Sequence, residues 1–270
     1  MRHPERHVVP DPHVCIAWCS PGQVSSAFME SILNLYWADA NRPAGHQRLF
    51  AKGAGYLHIT SGPRIASARN HLVRMFLQHH TAEWLWMIDS DMVFSPDTLD
   101  KLLEVADKDK RPIVGALAFG GGKGMLFPTM YRLCDPKENN GSPVDFVREW
   151  EPGSMVQVDG TGAACLLMHR SVLQAVGERY PEPAPWFSES VYKGHELGED
   201  FTFCLRLMQM EIPVFVNTAA SIGHMKPTVL DESVWRNMIY KLQAEGHPIK
   251  KENPIEESLT VVENKLLIAR

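Results

Sequence analysis

Trp84-Leu85-Trp86-Met87-Ile88 is an unbroken apolar run that stops abruptly at two carboxylates, Asp89-Ser90-Asp91. A run with no polar face belongs to a strand covered on both sides, and such strands occur in sheets sandwiched between helix layers. Pro112-Ile113-Val114-Gly115-Ala116-Leu117-Ala118 is a second run of this kind. Val14-Cys15-Ile16-Ala17-Trp18 is a third, ended by the turn signal Ser20-Pro21-Gly22. Helical stripes separate the runs: Val24, Phe28, Ile32 and Leu35, then Ile65, Leu72, Phe76 and Leu77, then Leu99, Leu102, Leu103 and Ala106. Strands alternating with helices predict an α/β fold, a mixed and mostly parallel sheet flanked by helices. Ligands of such sheets bind beyond the carboxyl ends of the strands. Ser20–Gly22, Ser61–Arg64, Asp89–Asp91 and Gly120–Gly124 are therefore expected to border one crevice.

The remaining elements follow from periodicity and turn chemistry. Tyr56–Thr60 alternates like a strand, and residues 39–53 read as a loop. Ser95 is expected to cap a helix that has Pro96 at its first position. Residues 125–158 read as hairpins and loops, and Ala163–Met168 as a strand. Arg170–Val176 reads as a short helix stopped by Gly177. Residues 178–198 read as a long loop, followed by a helix from about Glu199 carrying Phe201, Cys204, Leu205 and Met208. Pro213–Val216 is the last expected strand. From Asp231 to Gly246 an amphipathic helix carries Val234, Trp235, Met238 and Leu242. The expected organisation is one domain over 13–226 and a helical extension over 227–270.

Composition narrows the class. The 270 residues carry 27 Lys+Arg against 32 Asp+Glu, a formal net charge of −5, and 44% are hydrophobic. This excludes a disordered or collagen-like chain. It also argues against gripping nucleic acid by charge alone, which needs lysine and arginine on phosphates. The cysteines at 15, 19, 134, 165 and 204 form no CxxC pair. A zinc ribbon or thioredoxin-type site is excluded, and reduced thiols in a cytoplasmic protein are expected. No apolar run is long enough to span a membrane, and no signal peptide follows Met1–Arg6.

Asp89 and Asp91 can hold Mn²⁺ or Mg²⁺ through oxygen ligands and present the ion to a diphosphate. Asp107-Lys108-Asp109 has the same spacing but no strand before it, and reads as a solvated helix end. Glu199-Asp200 opens a helix; the pair either answers the helix dipole or supplies a general base. His224 follows the last strand and is a candidate metal ligand. His195, in the long loop, is kept in view. Arg64 and Arg69-Asn70 lie at the start of a helix, where guanidinium and backbone N–H groups suit an anionic or nucleotide group. Gly160-Thr161-Gly162 precedes a strand and either permits close backbone approach or makes a turn. Gly120-Gly121-Gly122-Lys123-Gly124 fails as a P-loop, because Leu117 and Gly124 stand where Gly and Ser/Thr are needed. It reads as a lid or hairpin. No GxGxxG follows the first strand.

Taken in order, four segments resemble the GT-A glycosyltransferases, close to the family 2-like group found in bacteriophage and bacterial genomes. They are Trp84–Met92 with its DxD, Gly160–Leu167, Gly198–Cys204 with its Glu-Asp pair, and Gly223-His224. The resemblance implies a hexosyltransferase that uses a nucleotide-diphosphate sugar, a UDP-sugar as first choice, and Mn²⁺ or Mg²⁺. It implies metal ligation by Asp91 and His224, with Asp89 on the metal or the ribose. Asp200, or its neighbour Glu199, would be the catalytic base of an inverting enzyme. Donor contacts would come from Ser20, Pro21, Gly22, Arg64, Arg69, Asp89, Ser90 and Gly162. The acceptor hydroxyl could belong to a phage DNA base, a protein or a glycan. The 231–246 helix could pair subunits in a homo-oligomer. Two other readings stand beside this one. A sugar nucleotidyltransferase would want a basic glycine-rich loop near the first strand, where Ser20-Pro21-Gly22-Gln23 lacks it. A non-catalytic nucleotide-sugar-binding protein would lack a key carboxylate, yet all are present.

Overall fold

The computed structural model describes residues 13–43, 56–122, 125–227 and 232–246. The elements in chain order are β1 (Val14–Ser20), α1 (Ser26–Ala40), β2 (Leu57–Thr60), α2 (Ile65–His79), β3 (Trp84–Ile88), β4 (Met92–Val93), α3 (Thr98–Val105) and β5 (Ile113–Leu117). Then come β6 (Phe119–Gly122), β7 (Met125–Pro128), β8 (Met130–Leu133), β9 (Val144–Phe146), β10 (Met155–Val158), β11 (Gly160–Thr161), β12 (Cys165–His169) and α4 (Arg170–Arg179). The last are β13 (Ser190–Tyr192), β14 (His195–Leu197), α5 (Glu199–Gln209), β15 (Val214–Ser221), β16 (Gly223–His224) and α6 (Glu232–Ala244). Two compact units divide after Lys226. The second contains α6, whose Val234, Trp235, Met238 and Tyr240 are exposed.

The main sheet has the order β10-β15-β5-β12-β3-β1-β2. Strands β1, β2, β3, β5 and β15 run one way, and β12 and β10 run against them. This is the mixed, mostly parallel sheet that the apolar runs predict. The two-residue period of a strand sends alternate side chains to opposite faces. Cys15, Ala17, Leu85 and Met87 join one core with residues of α2, α4 and α5. Ile16, Trp18, Trp84 and Trp86 join the other with residues of α1 and α3. Both faces are covered, which is why β1 and β3 are apolar throughout.

Several local expectations change. Helix α3 starts at Thr98, not at Pro96, and Asp97 flanks it without a side-chain cap bond. The Ser95 hydroxyl donates to the Asp97 carboxylate, and Thr98 N–H is taken by the Ser95 backbone carbonyl at 3.0 Å, not by its side chain. Helix α4 runs through Gly177 to Arg179. Gly177 does not terminate it; a Cβ there would lie 2.9 Å from Trp186 Cζ2, so the glycine admits the indole. Helix α5 buries Phe203, Cys204 and Leu207, while Met208 is exposed. The glycine segment after Ala118 is a hairpin, β6 against β7, with residues 123–124 outside the described set. Residues 44–53 of the expected 39–53 loop also lie outside it; α1 extends to Ala40.

The 178–198 segment is ordered rather than a plain loop. Strands β13 and β14 form a hairpin across Lys193 and Gly194, both with positive φ (48° and 82°), as a two-residue turn in a twisted hairpin requires. Asn70, 1% exposed, holds the preceding stretch. Its amide donates to Phe187 O at 2.6 Å and accepts from Trp186 N–H at 3.1 Å and Phe187 N–H at 3.3 Å. The Trp186 indole donates to Leu173 O at 2.7 Å. Asn70→Leu would leave these buried backbone groups unpaired. We expect it to cost about 2–4 kcal/mol in urea unfolding; a loss under ~1 kcal/mol would show that apolar contacts alone dock the segment.

Candidate active site

The carboxyl ends of β1, β2, β3, β5 and β15 meet on one edge, and the start of β12 joins them there. Strand β3 ends when Asp89 N–H donates to Ala164 O at 2.9 Å and Met92 N–H donates back to Asp89 O at 3.1 Å. That turn fixes Asp89 and Asp91 at the edge. A cleft of about 460 Å³ opens beside them, lined by Pro21, Gln23, Ser61, Arg69, Asp89, Ser90 and Asp91 among others.

Arg69 is the one arginine of that lining among the described residues, and its side chain is 6% exposed. It donates to Asp89 Oδ1 at 2.7 Å and to Glu199 Oε1. Burial works against its charge, but Asp89, Glu199 and Asp200 outweigh it and raise its pKa above the ordinary value. Its Nε is buried without a partner among the described residues. The guanidinium therefore ties the end of β3 to the first turn of α5.

Asp200 follows in that turn. One oxygen accepts from Phe201 N–H at 2.7 Å. Its carboxyl is pushed up from the ordinary range, first by burial and then by the Glu199 charge. Gly162 lies alongside: a Cβ there would sit 3.6 Å from Asp200 Oδ2 and 3.4 Å from Thr129 Cβ. A second cleft of about 340 Å³ reaches Asp200 from the other side, lined by Tyr131, Pro143, His195, Glu196 and Phe201 among others.

His224 arrives by a detour. Strand β15 continues past Val216, and its register on β5 shifts between Asn217 and Ser221. The chain then pairs as β16 with β4, His224 opposite Met92. His224 Nδ1 is 2.9 Å from Phe119 O, and Nε2 is 3.1 Å from Asp91 Oδ2. A carbonyl only accepts, so Nδ1 carries a proton. With Nδ1–H given to the Phe119 carbonyl, Nε2 lies at hydrogen-bond distance from Asp91, whose carboxylate can only accept. Lys226 Nζ also reaches Asp91, at 3.4 Å. Among the described residues no group of three or more His, Cys, Asp or Glu could hold a metal ion. Asp91 and His224 bring two such groups together, with the Lys226 ammonium beside them.

The other expected residues are placed as follows. Ser20 is buried and its hydroxyl is 2.8 Å from His58 Nε2. Pro21 and Gly22 are exposed at the edge; Gly22 has φ +96°. Arg64 is exposed and lines a neighbouring cleft with Ser61 and His71, not the one at Asp89 and Asp91. Tyr131, Lys226 and the Phe119 carbonyl were not among the expected site residues; no local spacing marks them, because each is delivered by a hairpin or bulge. Burial pushes the thiols of Cys15, Cys19, Cys165 and Cys204 up to about 12, so none is a nucleophile at neutral pH.

The raised pKa of Asp200 has a stability consequence. Between its unfolded and folded pKa values the native state binds more protons, so stability falls as pH rises through the folded pKa. Asp200→Asn removes that titration. We expect the variant to melt higher than the wild type near neutral pH, with the gap closing as pH falls below the unfolded pKa. A gap that widens on acidification would show the carboxylate to be stabilised instead.

Residues 46–174 match the family model described as glycosyl transferase family 2. The matched segment holds Arg69, Asp89, Asp91 and Gly162; Glu199, Asp200 and His224 lie beyond it. Among solved structures, the chain is similar to A197 from STIV, at 15% identity and TM-score 0.47, over 81% of this chain and 97% of that one. It is also similar to GalNAc-T7 solved with UDP, GalNAc and Mn²⁺, at 10% identity and TM-score 0.47, over 80% of this chain and 44% of that one. No curated protein sequence matches it. No helix among the described residues is long and apolar enough to cross a membrane. The match to the glycosyl transferase family 2 model thus spans just under half of the chain, and it falls on the mixed, mostly parallel sheet described above.

Proposed function

We propose that the chain moves a sugar from a nucleoside-diphosphate sugar, with UDP as the first nucleotide to test, to an acceptor hydroxyl, with inversion. The observation that carries this reading is the division of labour around Arg69. The guanidinium occupies Asp89 and Glu199, and leaves Asp91 on one side and Asp200 on the other without an arginine partner. The donor would lie in the cleft of Pro21, Gln23, Ser61, Asp89 and Ser90. Asp91 and His224 would hold the divalent cation. When bound, that cation supplies positive charge to the departing diphosphate.

Asp200 is the base. Burial and the neighbouring Glu199 charge raise its pKa, which makes its carboxylate a stronger proton acceptor than a solvated one. The acceptor oxygen forms a bond to the anomeric carbon as the bond from that carbon to the diphosphate oxygen breaks. The proton passes to Asp200, and the electron pair leaves with the nucleoside diphosphate. Glu199 stays ionised on Arg69 and positions the turn. Gly162, without a side chain, leaves the Asp200 oxygen open to the reacting hydroxyl.

Calorimetry of UDP with Mn²⁺, and with EDTA, tests the donor and metal assignment. Binding is expected only with the ion and is expected to be lost in Asp91→Ala; equal affinity in the variant overturns it. Asp200→Asn should keep UDP binding and lower turnover by about 10²–10⁴. Unchanged turnover would move the base to Glu199 or indicate retention. The acid limb of wild-type kcat/KM should fall at a higher pH than an ordinary carboxylate gives.

A further inference from the structure

Arg69 holds Glu199 and so places the first turn of α5, but it does not set the direction in which the Asp200 carboxylate points. Gly198 stands at the N-cap of α5 and has no side chain to close it, so that turn is fixed by tertiary contacts. Gly160-Thr161-Gly162 supplies them, one residue after another. The Cys204 thiol donates to Thr161 O at 3.7 Å, and Gly162 passes beside Asp200 Oδ2. Gly160 receives Phe201. A Cβ on Gly160 would fall 2.5 Å from Cε2 of that ring, 2.8 Å from Cδ2 and 2.9 Å from Cζ, closer than real Cβ atoms come to their neighbours. Glycine weakens a strand and marks a close approach where it persists; here the aromatic ring fills the space a side chain would take.

The ring has little room to retreat. Tyr131 meets it edge to face, ring centroids 5.7 Å apart, and Phe146 packs on Tyr131 at 5.5 Å. Tyr131 is also the strand partner of Gly160, β8 against β11, so one ladder places both the seat and its wall. The Thr161 hydroxyl donates to Thr129 O at 2.8 Å and ties β11 down. After Phe201, the hydroxyls of Thr202 and Ser190 lie 2.7 Å apart and tie the turn to β13.

The consequence falls on Asp200. Phe201 N–H donates to Asp200 Oδ1 at 2.7 Å. A seated ring fixes the Phe201 backbone, the backbone fixes the direction of its N–H, and the N–H holds one carboxylate oxygen. The other oxygen, Oδ2, is left on the Gly162 side. A general base works only when held close to its productive geometry.

We propose that Gly160 and Phe201 are positioning residues: the glycine seats the ring, and the seated ring aims the Asp200 carboxylate at the reacting hydroxyl. The proposal rests on the glycosyl-transfer reading above, with Asp200 as the base.

The test follows the Asp200 carboxyl by NMR in the full chain, labelled with carbon-13 at aspartate Cγ; Asp200→Asn identifies the resonance. Around it stand Arg69 of α2, Asp89 after β3, Tyr131 of β8, and Glu199 and Cys204 of α5, while His195 and Glu196 of β14 border the same cleft. Burial is the first cause of the raised Asp200 pKa, so an unseated turn, opened to water, titrates lower. Gly160→Ala and Phe201→Leu should each lower the midpoint toward the ordinary aspartate range. The double variant should lower it by no more than the larger single, because both break one seat. Leu99→Ala, in the core on the other face of the sheet, should lower the melting temperature and leave the midpoint in place. An unchanged midpoint in Phe201→Leu, an additive double variant, or an equal fall in Leu99→Ala overturns the proposal. UDP release from UDP-glucose with Mn²⁺ should slow by about 10²-fold in each single variant, with calorimetric UDP affinity unchanged; a parallel loss of affinity also overturns it. A wild type that neither binds UDP nor releases it from any UDP-sugar would sink the glycosyl-transfer reading instead, and the carboxyl titration would still decide whether the seat sets Asp200.

Discussion

A buried arginine cannot stand alone in a protein interior, and the site is arranged around that constraint. Arg69 is charged at every relevant pH and is nearly inaccessible, so it must be matched by carboxylates that the fold delivers to it. Asp89 comes from the end of β3 and Glu199 from the start of α5, distant in sequence. Removing the guanidinium would leave two carboxylates facing each other. Arg69 therefore sets the spacing between the cleft at β3 and the carboxylate that follows Glu199. Asp200 inherits its position from an ion pair in which it does not take part.

The second arm of the site depends on a strand irregularity. A regular β15 would end parallel to β5 and carry His224 away along the sheet. The register shift between Asn217 and Ser221 lets the chain turn back onto β4, the two-residue strand just after the carboxylate pair. The backbone then reinforces the side-chain contact: Met225 N–H donates to Asp91 O at 2.9 Å. His224 is fixed at both ring nitrogens, by a carbonyl on one side and Asp91 on the other.

How much of this was legible in the sequence follows from how each feature is encoded. The sheet was legible because burial on both faces leaves an unbroken apolar run, as in β1, β3 and β5. Asp89, Asp91 and Glu199-Asp200 stood out because charge ends an apolar run or opens a helix. The hairpin of β13 and β14 was hidden, since Lys193-Gly194 is a turn signal only when both residues take positive φ, and Lys193 does not announce that. Gly177 misled for a related reason: glycine serves termination and close packing equally, and only the position of Trp186 tells them apart. Ser95 misled because the turn it opens closes through its backbone carbonyl, which takes the Thr98 N–H, and the helix begins only after that turn. Arg69 read as a nucleotide contact from its place in α2; its pairing with Glu199 spans 130 residues and leaves no local trace.

The charge pattern that remains gives the proposed chemistry its direction. Four carboxylates, Asp89, Asp91, Glu199 and Asp200, share the edge with Arg69 and Lys226. Arg69 is surrounded and has little capacity left for a substrate, whereas Lys226 is half exposed and at the rim. A diphosphate entering on its own would meet a surplus of negative charge. A divalent cation held as proposed by Asp91 and His224 would reverse that sign on the proposed donor side only, because Asp200 lies beyond the Arg69 pair. That side would then attract an anion while the Asp200 side still repelled one. On this account, one electrostatic partition lets an acidic protein accept a diphosphate donor and reserve its other cleft for an uncharged hydroxyl.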